Sequence, residues 1–129
     1  MVERDRVPSA SMYAPVIGFS RAVRVGDRIL VSGTAPILPD GTCDPDVEAQ
    51  TRRCLAIIVD ALKQLGAQAA DVVRTRTYVV DAADWETVGR VHGEIFGDAL
   101  PASTMVVVAG FLDPDWKVEM EAEAVVSPS

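Results

Sequence analysis

The carboxylates near the C-terminus are the side chains of this sequence best suited to chemistry. In Lys117-Val-Glu-Met-Glu-Ala-Glu-Ala-Val125, Glu119, Glu121 and Glu123 alternate with Val118, Met120, Ala122 and Ala124. That is the period of a strand with one carboxylate face and one apolar face. A carboxylate beside a cleft can take a proton from water, so Glu119 is the candidate general base. The same three residues also read as a charge ladder opposite Arg74 and Arg76, because opposite charges on paired strands attract. Gly33, at the end of an earlier strand, suits a close approach of backbone to ligand. The lone His92 lies on a helix beside an apolar stripe and reads as a half-buried structural residue. Cys54 reads as core and Cys43 as a loop bystander. Two cysteines eleven residues apart form no CxxC motif, so no metal site is expected. Trp85 and Trp116 read as packing anchors, and Trp116 also lies near enough to Glu119 to wall a cleft.

The elements that must position these residues can be traced in order. Residues 1–16, rich in Pro, Ser and Ala, read as a loosely held arm. Gly18–Val25 alternates as a strand, Gly26-Asp27 is a hairpin turn, and Arg28–Gly33 is the returning strand. Thr34–Gly41, with two prolines and Asp40-Gly41, is a loop. Asp44-Pro45 is expected to cap a helix whose apolar stripe is Val47, Thr51, Leu55, Ile58, Leu62 and Leu65, with Gly66 as its stop. Asp71–Val80 is a strand, and a second helix runs from about Asp81–Asp84 to Gly97 through Val88, Val91 and Ile95. Pro101–Val126 is expected to form two strands paired with each other about a turn at Asp113-Pro114. The first of these, around Met105–Val108, is apolar on both faces, as suits a strand covered on both sides.

The order β-β-α-β-α-β-β defines one α+β domain over residues 1–129, an antiparallel or mixed sheet with two helices on a single face. The other face also holds apolar residues, and an uncovered apolar sheet face implies a partner subunit. The chain carries a net charge of −7 and an isoelectric point near 4.6, which argues against nucleic acid as a partner. No apolar run approaches the ~20 residues of a membrane span, and the N-terminus lacks a signal-peptide core. No membrane association is expected, and the cytoplasm is the expected compartment.

Several segments together resemble the Rid family, also called YjgF. They are Gly18-Phe-Ser-Arg-Ala-Val-Arg-Val-Gly-Asp27, Val31-Ser-Gly-Thr-Ala-Pro36, Asp46-Val-Glu-Ala-Gln-Thr-Arg-Arg-Cys-Leu55, Asp71-Val-Val-Arg-Thr-Arg-Thr-Tyr-Val-Val-Asp81, Pro101-Ala-Ser-Thr-Met-Val106 and Val118-Glu-Met-Glu-Ala122. The resemblance implies a chorismate-mutase-like fold, a homotrimer, and a cleft between subunits for a small-molecule metabolite. Deaminases of this family hydrolyse imines and enamines without a cofactor. It places ligand contacts at Phe19, Ser32, Ser103, Met105 and Glu119. The family's carboxylate-holding arginine falls on Ser103, its tyrosine on Phe19 and its small or thiol residue on Met105. A guanidinium makes two charge-assisted bonds, each about 1.5–3 kcal/mol. A serine offers one uncharged donor, so typical 2-imino acid deamination is not expected. Arg21, two residues beyond Phe19 on a strand, could replace that cation or pair with the Glu ladder; the ion pair is the favoured reading. A cleft that binds without catalysis is the rival reading. Ribonuclease activity, attributed to some relatives, fits poorly with the acidity and the single histidine.

Overall fold

In a computed structural model, residues 3–126 are described. Strands β1 (Arg4–Val7), β2 (Ala22–Val25), β3 (Arg28–Thr34), β4 (Val72–Val79), β5 (Ala102–Val107) and β6 (Val118–Val125) form one mixed sheet in the order β1-β2-β3-β6-β4-β5. A short helix α1 (Ala14–Ile17) and two long ones, α2 (Val47–Gln64) and α3 (Trp85–Phe96), complete the α+β domain.

The hairpin reads as expected: Val25 pairs with Arg28 across Gly26-Asp27. Helix α2 begins one turn signal later than expected. Asp46, not Asp44, is the N-cap, its carboxylate accepting from the Ala49 N–H at 3.0 Å. Asp44 instead accepts from the Asp46 N–H at 2.8 Å, so the first Asp shapes the turn and the second caps the helix. Gly66 ends the helix with φ 86°, a conformation that penalises any side chain.

The core lies between the helices and one sheet face. Ile29, Val31, Val72, Val79, Val118, Met120, Ala122 and Ala124 meet Leu55, Ile58, Leu62, Val88, Val91 and Phe96, all buried. Each large side chain buried there contributes roughly 1.5–3 kcal/mol of hydrophobic free energy. The other face carries the ladder as the alternation requires. Arg76 lies 3.6 Å from Glu121 and 3.8 Å from Glu123, and Arg28 lies 3.5 Å from Glu123.

Three expectations need correcting. Of the arm expected over residues 1–16, residues 1–2 lie outside the described residues and the rest is not loose: Arg4–Val7 pairs antiparallel with β2, and Ala14–Ile17 forms a turn of helix ended by Gly18 at φ 87°. The C-terminal strands do not pair with each other. β6 inserts between β3 and β4, while β5 pairs parallel with β4 at the sheet edge. In the single chain every residue of β5 is therefore exposed, including Met105, Val106 and Val107. Trp85, expected as a packing anchor, is 62% exposed at the start of α3.

Candidate functional site

A cavity of about 740 Å³ opens where β3 loses its regular pairing with β6. Register shifts between Val31 and Thr34, so one strand carries an irregularity beside its partner, a feature that re-aims side chains. Phe19, Arg21, Ser32, Gly33, Trp116 and Glu119 line the cavity together. These are six of the eight candidate site residues. Its remaining wall is largely apolar, drawn from Tyr13 and Ile17, the 37–39 loop, Ile57 of α2, and Leu112.

Glu119 sits on β6 opposite Tyr78, on the sheet face away from the helices. It is half-buried and makes no hydrogen bond or ion pair among the described residues. Burial pushes its carboxyl above the ordinary carboxylate range; the nearby Arg21 charge opposes that shift and Glu121 reinforces it. Its neighbour Glu121 is already engaged, accepting from the Tyr78 hydroxyl at 2.5 Å. Gly33 borders the carboxylate closely: a β-carbon there would stand 3.5 Å from Glu119 Oε1. Glu119 is therefore a cavity carboxylate without a partner among the described residues, whereas Glu121, which also borders the cavity, is held by Tyr78 and Arg76.

Arg21 does not make the ion pair with the Glu ladder that the sequence favoured. It is 8% exposed and forms no ion pair with the Glu ladder among the described residues. Its Nη1 donates to Gly33 O at 2.8 Å and Thr34 Oγ1 at 3.0 Å, and its Nη2 to Ser9 Oγ at 2.9 Å. The guanidinium thus ties the irregular end of β3 to the N-terminal segment, and its carbon lies 5.5 Å from the centre of the Phe19 ring. Burial lowers its pKa, with Glu119 acting in the opposite sense. Ser32 contributes structure as well, donating to Ser20 O at 2.7 Å.

Ser103 and Met105 are not brought to this cavity. In register, Ser103 pairs with Thr75 and Met105 with Thr77, on the helix side of the sheet. Glu119 pairs with Tyr78 on the other side, and β4 separates β6 from β5. Within one protomer the two groups cannot face a common ligand. His92 fits its structural reading: half-buried, its ring 5.0 Å from that of Phe96 and tilted 58° to it, and hydrogen-bonded to Thr75. Cys54 is fully buried, and burial drives its thiol far up.

Two contributors escape the sequence reading. Tyr13 meets Trp116 edge-to-face at 5.8 Å and lines the cavity. Its signal was Pro15 followed by Gly18, the N-terminal Pro and C-terminal Gly of a short helix. Gln50, fully buried on α2, donates to Asp44 O at 2.7 Å and Asp115 O at 3.0 Å and accepts from the Lys117 N–H at 2.7 Å. It pins the loop that delivers Trp116 and Glu119. A glutamine at a core position of the helical stripe was the available clue.

Among the described residues, no group of three or more His, Cys, Asp or Glu could hold a metal ion. No helix among them is long and apolar enough to cross a membrane.

The family model described as Endoribonuclease L-PSP matches residues 10–126. A crystal structure of a YjgF/YER057c/UK114 family member from Mycobacterium tuberculosis superposes with a TM-score of 0.88 at 44% identity, covering 96% of this chain and all of that one. The 2-iminobutanoate/2-iminopropanoate deaminase of Escherichia coli K12 is 33% identical over 111 residues, 83% of this chain and 86% of that protein. The structure of E. coli TdcF with bound serine superposes with a TM-score of 0.82 at 27% identity, each chain being 98% covered.

Proposed function

As a chain that belongs to the YjgF/Rid family, with the Endoribonuclease L-PSP model matching most of its length, this protein, we propose, acts as a homotrimer. Clefts between its subunits bind a small carbonyl or imine metabolite, and Glu119 directs water onto it. The observation that carries this reading is Glu119 itself: a half-buried carboxylate at a cavity wall, free of the pairing that occupies Glu121 and Glu123. A trimer is supported by the bare edge strand, with Met105, Val106 and Val107 exposed, and by exposed Leu30 on the face away from the helices. It is also supported by the division of the site. A neighbouring copy laying its β5 edge over the cavity would unite Ser103 with Glu119.

In the chemistry proposed, Glu119 accepts a proton from water as the oxygen attacks the carbon of a C=N group. The nitrogen takes up that proton to give a carbinolamine; Glu119 then carries the hydroxyl proton of the carbinolamine to the nitrogen as the C–N bond breaks, releasing ammonia and leaving a carbonyl. Burial keeps the Glu119 pKa above that of an ordinary carboxylate, closer to the working pH of a base. Two cations line the cavity: buried Arg21, already committed to Ser9, Gly33 and Thr34, and half-buried Arg53, whose Nε donates to Ile37 O. Ser103 stands where the family's deaminases place an arginine. A ligand without a strong carboxylate requirement fits that arrangement best.

Ammonia release from imines generated in situ by an amino-acid oxidase tests the reading. Turnover that is lost in Glu119→Gln supports it, and turnover unchanged in that variant removes Glu119 from the mechanism. Ser103→Arg is expected to raise activity toward 2-imino acids. Ligand binding with no turnover in the parent chain and in Ser103→Arg alike would favour the binding-only alternative.

A further inference from the structure

Position 103 does more than mark an absent arginine. The fully buried Thr75 hydroxyl donates to Ser103 Oγ at 2.8 Å and stands 2.7 Å from His92 Nε2. A hydroxyl has a single proton. With that proton directed at Ser103, Thr75 must accept from His92, so Nε2 carries the imidazole hydrogen. Ser103 receives Thr75's proton and keeps its own. Exposed on β5, it has no other partner among the described residues and is left to donate outward. Burial lowers the His92 pKa, which favours the neutral ring that such a chain uses.

We propose that His92, Thr75 and Ser103 form a hydrogen-bonded relay that presents the Ser103 hydroxyl as an uncharged donor to a ligand's carbonyl oxygen or imine nitrogen. Ser103 is the binding residue, and Thr75 and His92 are positioning residues that act through it. Successive hydroxyls polarise one another, so the terminal donor is stronger than an isolated serine. The relay selects a neutral acceptor where a guanidinium would select a carboxylate. It rests on the reading above that the β5 edge meets a ligand cleft.

The chain has one histidine, so its imidazole nitrogens give one unambiguous pair of NMR signals. The full-length protein, labelled with nitrogen-15, is titrated with butan-2-one as a neutral carbonyl probe while His92 and the Trp116 indole are followed. Expected are a neutral ring protonated at Nε2 and a response to the probe at both residues. Affinity should fall about three- to tenfold in Ser103→Ala and Thr75→Val, the range for one lost hydrogen bond, and be retained in Thr75→Ser. A ring protonated at Nδ1, or unchanged affinity in Ser103→Ala, overturns the relay. A response at Trp116 with none at His92 overturns the relay and leaves the cleft reading standing. No response at either residue overturns both.

Discussion

Gln50 links the core to the candidate site, and its replacement is the most informative single perturbation. Its amide makes two donor bonds and one acceptor bond, to Asp44 O, Asp115 O and the Lys117 N–H. At about 1 kcal/mol net for each bond, Gln50→Met should cost about 3 kcal/mol while roughly keeping the volume. Gln50→Ala adds a cavity beside Cys54 and should cost somewhat more. The 113–117 loop then loses its attachment to α2, and Trp116 and Glu119 lose their fixed position at the cavity. Urea unfolding gives the free energies, and tryptophan fluorescence reports whether the Trp116 environment loosens at urea concentrations below the main transition. A Gln50→Met protein within about 0.5 kcal/mol of its parent, with Trp116 fluorescence unchanged, would refute the argument that this glutamine holds the loop.

Two other variants probe the site through stability. Glu119 has a raised folded-state pKa, so its ionisation opposes folding: the protein loses stability as pH climbs from the unfolded to the folded value. Glu119→Gln should therefore gain in relative melting temperature from about pH 4 toward neutrality, and a pH-independent difference would contradict the shift. Arg21→Lys should destabilise by about 2 kcal/mol or more, because one ammonium cannot reproduce a fork that reaches Gly33, Thr34 and Ser9 at once. Denaturant midpoints equal to the parent's would show that the fork is dispensable.

What could be read from the sequence was local. The 3.6-residue stripe of α2, the Gly26-Asp27 hairpin and the alternating Glu ladder each follow from neighbours in the chain, and each stands in the fold. The partners of β5 and β6 depend on contacts between distant segments. An apolar run such as Met105–Val108 looks the same on a covered central strand and on an exposed edge. The wrong pairing of the last two strands follows from that ambiguity. The ion pair expected of Arg21 failed for a related reason. The strand expected from Gly18 begins only at Ala22, so Phe19 and Arg21 precede it, and Arg21's partners are set by the β3 irregularity and by Ser9, neither of which alternation encodes. The N-terminal strand was hidden because four residues of Arg4–Val7 carry little apolar signal; three of them are exposed.

The central claim is that one copy holds only part of the site and that sister copies complete it. Sedimentation equilibrium at micromolar concentration tests this most directly. The account requires a single species at three times the 13.8 kDa chain mass. A stable species at the mass of one chain would contradict it.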